Sequence, residues 1–189
     1  MTRRLLLATG NAYKVGEVAQ ILGDGWKVVA RDPGVAETGA TFEDNALLKA
    51  RALRDATGEL AVADDSGIEI DALGGLPGIE SARWTHEGDW IPRVLRELEE
   101  RGAVDAARRG CRYVCAAAVA RPDGTEAVRR GVVEGVVATA SRGGGGFGYD
   151  PIVIPVEADG RTFAELAPGE KHAISHRARA FRALVDELS

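Results

Sequence analysis

LAVADDSGIEI, residues 60–70, sets an apolar run against two adjacent carboxylates. Leu60 to Ala63 follow a glycine-containing turn, and small or branched apolar residues in such a run predict a buried strand over 60–64. Asp64-Asp65-Ser66-Gly67 is then expected to turn the chain out of the core. Neighbouring carboxylates repel, and burying an unpaired charge is costly, so something must compensate them. Two readings stand at this point. The four residues form a turn because their types favour turns, or a divalent cation sits at the carboxyl end of the strand.

Residues 3–8 predict a short strand that "TGN" converts into a helix near Ala12, with Val15, Val18, Ala19 and Leu22 on one face. "WKVVA" (26–30) reads as a second strand. Thr41 is the natural cap of a helix from about Phe42 to Ala56. After the carboxylates come "IEIDAL", the loop "GGLPG" and a helix over 91–101 bounded by Pro92 and Gly102. Residues 110–138 predict a long hairpin turning at Pro122-Asp123-Gly124. A glycine loop at 142–151, the strand "IVIP" and a final helix over 172–188 complete the chain. Strands alternating with helices and then a hairpin imply an α/β fold with a mixed sheet.

At 189 residues the chain is one domain, or one domain with two lobes sharing a sheet. Hydrophobic content of 45% and charged content of 28% are those of a soluble protein, and no run reaches the ~20 apolar residues of a membrane span. "MTRRLLLATGNAYK" opens like a secretory signal, but its apolar core is too short and Asn11, Lys14 and Glu17 follow at once. A net charge of −5 gives no footprint for nucleic acid or an anionic membrane, so an anionic ligand needs local positive charge. Cys111 and Cys115, four apart on a strand, would lie about 13 Å apart, too far for a disulfide. Buried reduced thiols and a cytoplasmic location are expected.

Four further segments could carry chemistry. "ATGNAYK" joins a strand to a helix N-terminus, whose free N–H groups and dipole favour an anion, with Asn11 and Lys14 to strengthen it. It is not a Walker A loop, and a plain β-to-α turn explains it as well. In "ETGATFEDNALLKA" (37–50), Glu43 and Asp44 suit a first helical turn, whereas Glu37 lies in a loop with no other obvious task. "GGGGFGYDP" (143–151) is either an exposed connector or a backbone lying against a ligand, with Phe147 and Tyr149 offering stacking surfaces. Lys171, His172, His176 and Arg177 gather cations at the start of the last helix, against its dipole, and that local conflict hints at function. Together these carboxylates, lysines, helix terminus and aromatic loop form an inventory for a Mg²⁺-bound polyphosphate attached to an aromatic base.

"TGNAYK", "ETGATFEDNALLKA", "ADDSGIEIDALGGLPGIESAR", "GGFGYDPI" and "SHR", in this order, resemble the inosine triphosphate pyrophosphatase family from Leu5 to about Leu188. The resemblance implies a single domain over 1–189, an elongated mixed sheet flanked by helices, and two lobes with an active-site cleft between them. It implies Mg²⁺-dependent hydrolysis of non-standard purine nucleoside triphosphates (ITP, dITP, XTP) to a monophosphate and pyrophosphate, and a homodimer. By position, the phosphate-binding segment falls on Thr9, Gly10, Asn11, Ala12, Tyr13 and Lys14. The metal carboxylates fall on Glu37 and Asp65, with Asp65 also the base, Lys49 facing the phosphates and Ser66 a substrate contact. Phe147, Gly148, Tyr149 and Asp150 match the base-stacking loop, and Lys171, His176 and Arg177 the residues reading the base.

On this reading Mg²⁺ compensates Asp65, while Asp64 supports it or holds a second ion. Water attacks the α-phosphorus, and Lys14 and Lys49 stabilise the departing pyrophosphate. His176 and Arg177 would donate to the purine 6-oxo group, leaving 6-amino adenine mismatched. Two departures from the family pattern stand out: Asp44 where a glutamate is usual, and "WTHEGDWIPRVLREL", where no role is carried onto 85–92. A pyrophosphatase of other nucleotide preference, or a nucleotide-sensing module without hydrolysis, are the alternatives.

Overall fold

The computed structural model describes residues 2–85 and 89–188. His86, Glu87 and Gly88, within the segment that departs from the family pattern, lie outside the described residues. The elements run β1 (Arg3–Leu7), α1 (Ala12–Leu22), β2 (Trp26–Ala30), α2 (Phe42–Thr57), β3 (Ala61–Ile70) and α3 (Trp90–Glu100), followed by β4 (Gly110–Ala120), β5 (Glu126–Val137), β6 (Val153–Pro155), α4 (Pro168–Ile174) and α5 (His176–Leu184). The strands form one six-stranded sheet among the described residues, in the order β2-β1-β3-β4-β5-β6. β1 is parallel to β2 and β3, whereas β5 and β6 are antiparallel, so the sheet is mixed as expected for this α/β order.

Local chemistry explains most boundaries. The Asn11 side chain accepts the Tyr13 N–H at the start of α1, and Thr41 accepts that of Asp44 at the start of α2. Gly58 closes α2 in the left-handed conformation, where a side chain would be strained. At Pro122-Asp123-Gly124 the hairpin closes through Arg121 and Thr125, whose backbone groups bond at 3.0 Å.

Two expectations are corrected. Asp64-Asp65-Ser66-Gly67 is not a turn, because β3 continues through it as one ten-residue strand. Alternation along an extended chain sends the two carboxylates to opposite faces, which relieves their repulsion without a bend. The predicted helix over 172–188 is interrupted at Ser175, which is extended and accepts the Ala178 N–H with its side chain, starting α5 afresh. Lys171 therefore sits in the last turn of α4, where a cation suits the dipole, and only His176 and Arg177 open α5.

The chain divides into two compact units. The first takes Met1–Ser66, Cys115–Gly131 and Ser175–Ser189, and the second Gly67–Val114 and Val132–Ile174. The first has a core of Leu5, Leu7, Val18, Val62, Phe181 and Leu184 among others. The core of the second includes Ile68, Val94, Leu98, Tyr113, Ile152 and Phe163. Cys111 and Cys115 are both buried and unpaired, as expected. Burial pushes the Cys111 thiol up to about 12, and that of Cys115 higher still.

Candidate active site

In the first unit, β1 delivers the chain to the N-terminus of α1. Thr9 Oγ1 accepts the Asn11 N–H at 3.1 Å, and Asn11 Oδ1 accepts that of Tyr13 at 2.9 Å, so side chains shape the loop. Gly10, Ala12 and Tyr13 are exposed and Thr9, Asn11 and Lys14 partly so, as an anion-binding turn requires. A β-carbon at Gly10 would fall 2.8 Å from Asp32 Oδ2.

The Lys14 ammonium lies 3.0 Å from Asp64 Oδ2, whose side chain is fully buried. Arg177 donates to the same oxygen from Nε at 3.3 Å and Nη2 at 3.2 Å. Its Nη2 also reaches Ser66 Oγ at 2.9 Å, and Nη1 pairs with Glu17. Lys14 and Glu17 are three apart on α1, so one helix face supplies both ends of a chain of alternating charges, Lys14–Asp64–Arg177–Glu17. Burial alone would raise the Asp64 pKa, but Lys14, Arg177 and Lys49 outweigh it and hold the carboxyl far below the usual range. The Arg177 guanidinium is driven up by the same pairing, against its burial.

Asp65 meets a different set. Lys49 Nζ lies 3.4 Å from its Oδ1 and 2.5 Å from Glu37 Oε1, and Asn45 Nδ2 donates to Oδ2 at 3.1 Å. Burial, with Glu37 adding to it, raises the Asp65 pKa despite Lys49. Burial would lower the Lys49 pKa, yet Asp65, Asp64 and Glu37 hold it above the ordinary lysine value, so the ammonium stays charged. The pKa values of two consecutive aspartates are thus shifted in opposite directions, that of Asp64 by its cations and that of Asp65 by its burial.

The donor chemistry suits a hard divalent cation. Glu37 and Asp65 offer carboxylate oxygens beside one another, and the buried Asp64 Oδ1 has no hydrogen-bond partner among the described residues. Among those residues no group of three or more His, Cys, Asp or Glu side chains forms a complete cage. Mg²⁺ in nucleotide sites takes one or two carboxylates and lets substrate phosphates supply the rest, so a two-carboxylate set fits it.

In the second unit, Asp150 organises the aromatic loop. Its Oδ2 accepts the Phe147 N–H and the Lys171 ammonium, each at 2.8 Å, and Oδ1 accepts the Tyr113 hydroxyl at 3.2 Å. Lys171 Nζ stands 5.0 Å from the centre of the Phe147 ring. Gly146 is at φ 71°, and a β-carbon there would lie 2.1 Å from Asp150 Oδ2, so only glycine permits this closure. Tyr149 is not a free stacking surface: it is buried, donates to Ser81 O at 2.8 Å and packs on Trp90. Phe147 and Gly148 keep partial exposure.

The expected residues therefore divide. Thr9–Lys14, Glu37, Lys49, Asp65, Ser66, His176 and Arg177 belong to the first unit, and Phe147–Asp150 and Lys171 to the second. The expectation of Arg177 as a base reader meets a guanidinium already committed to Asp64, Glu17 and Ser66. Asp44 is an exposed first-turn residue of α2, so its difference from glutamate falls outside the carboxylate cluster. Glu17, Asn45 and Tyr113 were not anticipated. The i, i+3 spacing of Glu17 from Lys14 could have flagged the first, and a buried asparagine inside a helix the second.

The sequence profile of the Ham1 family matches residues 5–187. The dITP/XTP pyrophosphatase of Symbiobacterium thermophilum is 52% identical over 190 residues, covering 98% of this chain and 95% of the relative. A HAM1 protein from Coxiella burnetii superposes with a TM-score of 0.85 at 37% identity, covering 99% of this chain and 98% of the other. The nucleoside-triphosphatase, or dITP/XTP pyrophosphatase, of Mycobacterium abscessus gives 0.75 at 41% identity, covering 96% and 98%.

Proposed function

This chain belongs to the Ham1 family, and on that premise we propose that it hydrolyses non-standard purine nucleoside triphosphates, dITP, XTP and ITP, to the monophosphate and pyrophosphate. The observation that carries the reading is geometric: a lysine bridges Asp65 to Glu37, while the neighbouring Asp64 is held separately by Lys14 and Arg177.

In this proposal the α1 N-terminus, Asn11 and Lys14 receive the phosphates, and Lys49 stabilises charge on the departing pyrophosphate. Asp65, held by Lys49 and Asn45, accepts the proton of the attacking water. Asp64 stays ionised as the counter-charge that holds Lys14 and Arg177. Glu37 and Asp65 would hold Mg²⁺, which when bound supplies neutralisation of the phosphate oxygens. Phe147 offers its ring to the base, with Lys171 held against Asp150 beside it. His176, in the first turn of α5, is the proposed donor to the purine 6-oxo group, with Arg177 behind it as charge support. A 6-amino purine would set a donor against a donor there. The homodimer implied by the family resemblance and the cytoplasmic location expected from the reduced thiols belong to the same proposal.

The test is pyrophosphate release from a panel of dITP, XTP, ITP, ATP, GTP and the pyrimidine triphosphates, with Mg²⁺ and with chelator. Preferential Mg²⁺-dependent turnover of the first three is expected. Equal turnover of ATP would remove the assigned specificity, and nucleotide binding without release would favour a sensing module.

A further inference from the structure

Asn45 lies in the second turn of α2 with no exposed surface, an unusual place for a side chain that competes with helical hydrogen bonds. Both ends of its amide are engaged. The Gly39 N–H lies 2.8 Å from Oδ1, and a backbone N–H can only donate, so the atom facing it must be the oxygen. That fixes the amide and turns Nδ2 toward Asp65 Oδ2 at 3.1 Å, where an NH₂ group can only donate. The other Asp65 oxygen is left facing Lys49. The relay needs a close approach of backbone: a β-carbon at residue 39 would fall 2.6 Å from Asp44 Cβ, 2.7 Å from Asn45 Oδ1 and 2.9 Å from the Asn45 backbone nitrogen. Glycine at 39 therefore lets the loop pack onto the first turn of α2 closely enough for this contact. A purely structural tie between the 37–41 loop and α2 would need only the Gly39 half of the arrangement; the second half is spent on the carboxylate.

We propose that Asn45, oriented by Gly39, is the positioning residue that fixes the rotation of the Asp65 carboxylate, so that Oδ2 is held as an acceptor and Oδ1 is kept on the side of Lys49 and Glu37. This rests on the reading of Asp65 as the residue that acts on the attacking water.

Asn45→Asp tests it, because the new side chain still accepts from Gly39 but can no longer donate to an ionised Asp65. With the wild-type enzyme first shown to release pyrophosphate from ITP, kcat for ITP should fall at least about tenfold in this variant while KM stays nearly constant. Without metal, thermal unfolding should show the variant less stable than wild type by roughly 5 °C, since a buried carboxylate loses its donor. In an Asp65→Asn background the same change should cost almost nothing, because the amide introduced at position 65 can turn to donate to the carboxylate introduced at position 45. Unchanged kcat, a rise in KM alone, or an equal loss of stability in both backgrounds would overturn the assignment. If Asn45→Asp does not fold, Asn45→Ser carries the same kcat and KM comparison. A wild-type enzyme inert toward ITP would instead remove the proposed function on which the assignment rests.

Discussion

Asp64 and Asp65 are consecutive in β3 yet share no hydrogen-bonding or ion-pair partner among the described residues: Asp64 is held by Lys14 and Arg177, Asp65 by Lys49 and Asn45. The period of an extended strand produces the separation, and the two pKa values shift in opposite directions: the Lys14 and Arg177 cations hold Asp64 down against its burial, whereas burial raises Asp65 despite Lys49. One strand thus carries two carboxylates with separate sets of partners. That relationship ties the fold to the proposed chemistry.

The two aspartates should fail differently when neutralised. Asp65→Asn is expected to lower kcat for ITP by roughly a hundredfold or more, with a modest change in stability. Asp64→Asn leaves the buried Arg177 and the half-buried Lys14 short of a counter-charge and should cost about 3 kcal/mol of stability near neutral pH. Asp64 ionises more readily folded than unfolded, so its contribution is complete above the ordinary carboxylate pKa of about 4 and is lost as pH falls below it. Denaturant unfolding of wild type and Asp64→Asn should therefore converge in acid. A gap that widens on acidification would reverse the assignment of Asp64.

Arg177 is almost fully buried, with its guanidinium on two carboxylates and a hydroxyl. Arg177→Met should thus destabilise the protein by about 3 kcal/mol. Because its partners are Asp64, Glu17 and Ser66 rather than open space, the ratio of kcat/KM for ITP to that for ATP should change less than in His176→Ala. Comparing the two ratios under saturating Mg²⁺ decides whether Arg177 supports the site or reads the base.

Buried thiols with raised pKa values stay protonated at ordinary pH and do not act as nucleophiles. Neither Cys111 nor Cys115 should react with a disulfide reagent at mildly alkaline pH in the folded enzyme, and both should react in guanidinium chloride. Rapid labelling of the native protein would contradict the burial of both side chains.

Much of the fold was legible because periodicity and caps agree: Thr41 and the Pro122-Asp123-Gly124 turn each specify a boundary that the structure has. The two misread places fail for identifiable reasons. Asp-Asp-Ser-Gly is turn-like by type, but β3 runs between β1 and β4 in the sheet and cations from α1, α2 and α5 compensate its carboxylates, so tertiary pairing overrides local propensity. At Ser175 the helical pattern of apolar residues continues across the break, so periodicity could not reveal the new cap. Which cation meets which carboxylate was likewise hidden, since Arg177 reaches Asp64 across 113 positions of sequence. Tyr149 reads as a stacking ring in the sequence; in the structure it is buried and its hydroxyl donates to Ser81 O.

The most direct measurement is turnover of ITP in water enriched in heavy oxygen, followed by mass analysis of both products. Attack at the α-phosphorus, with Asp65 receiving the proton, predicts equal amounts of IMP and pyrophosphate, with the label confined to IMP. Label in the pyrophosphate, or accumulation of IDP and labelled phosphate, would contradict the account.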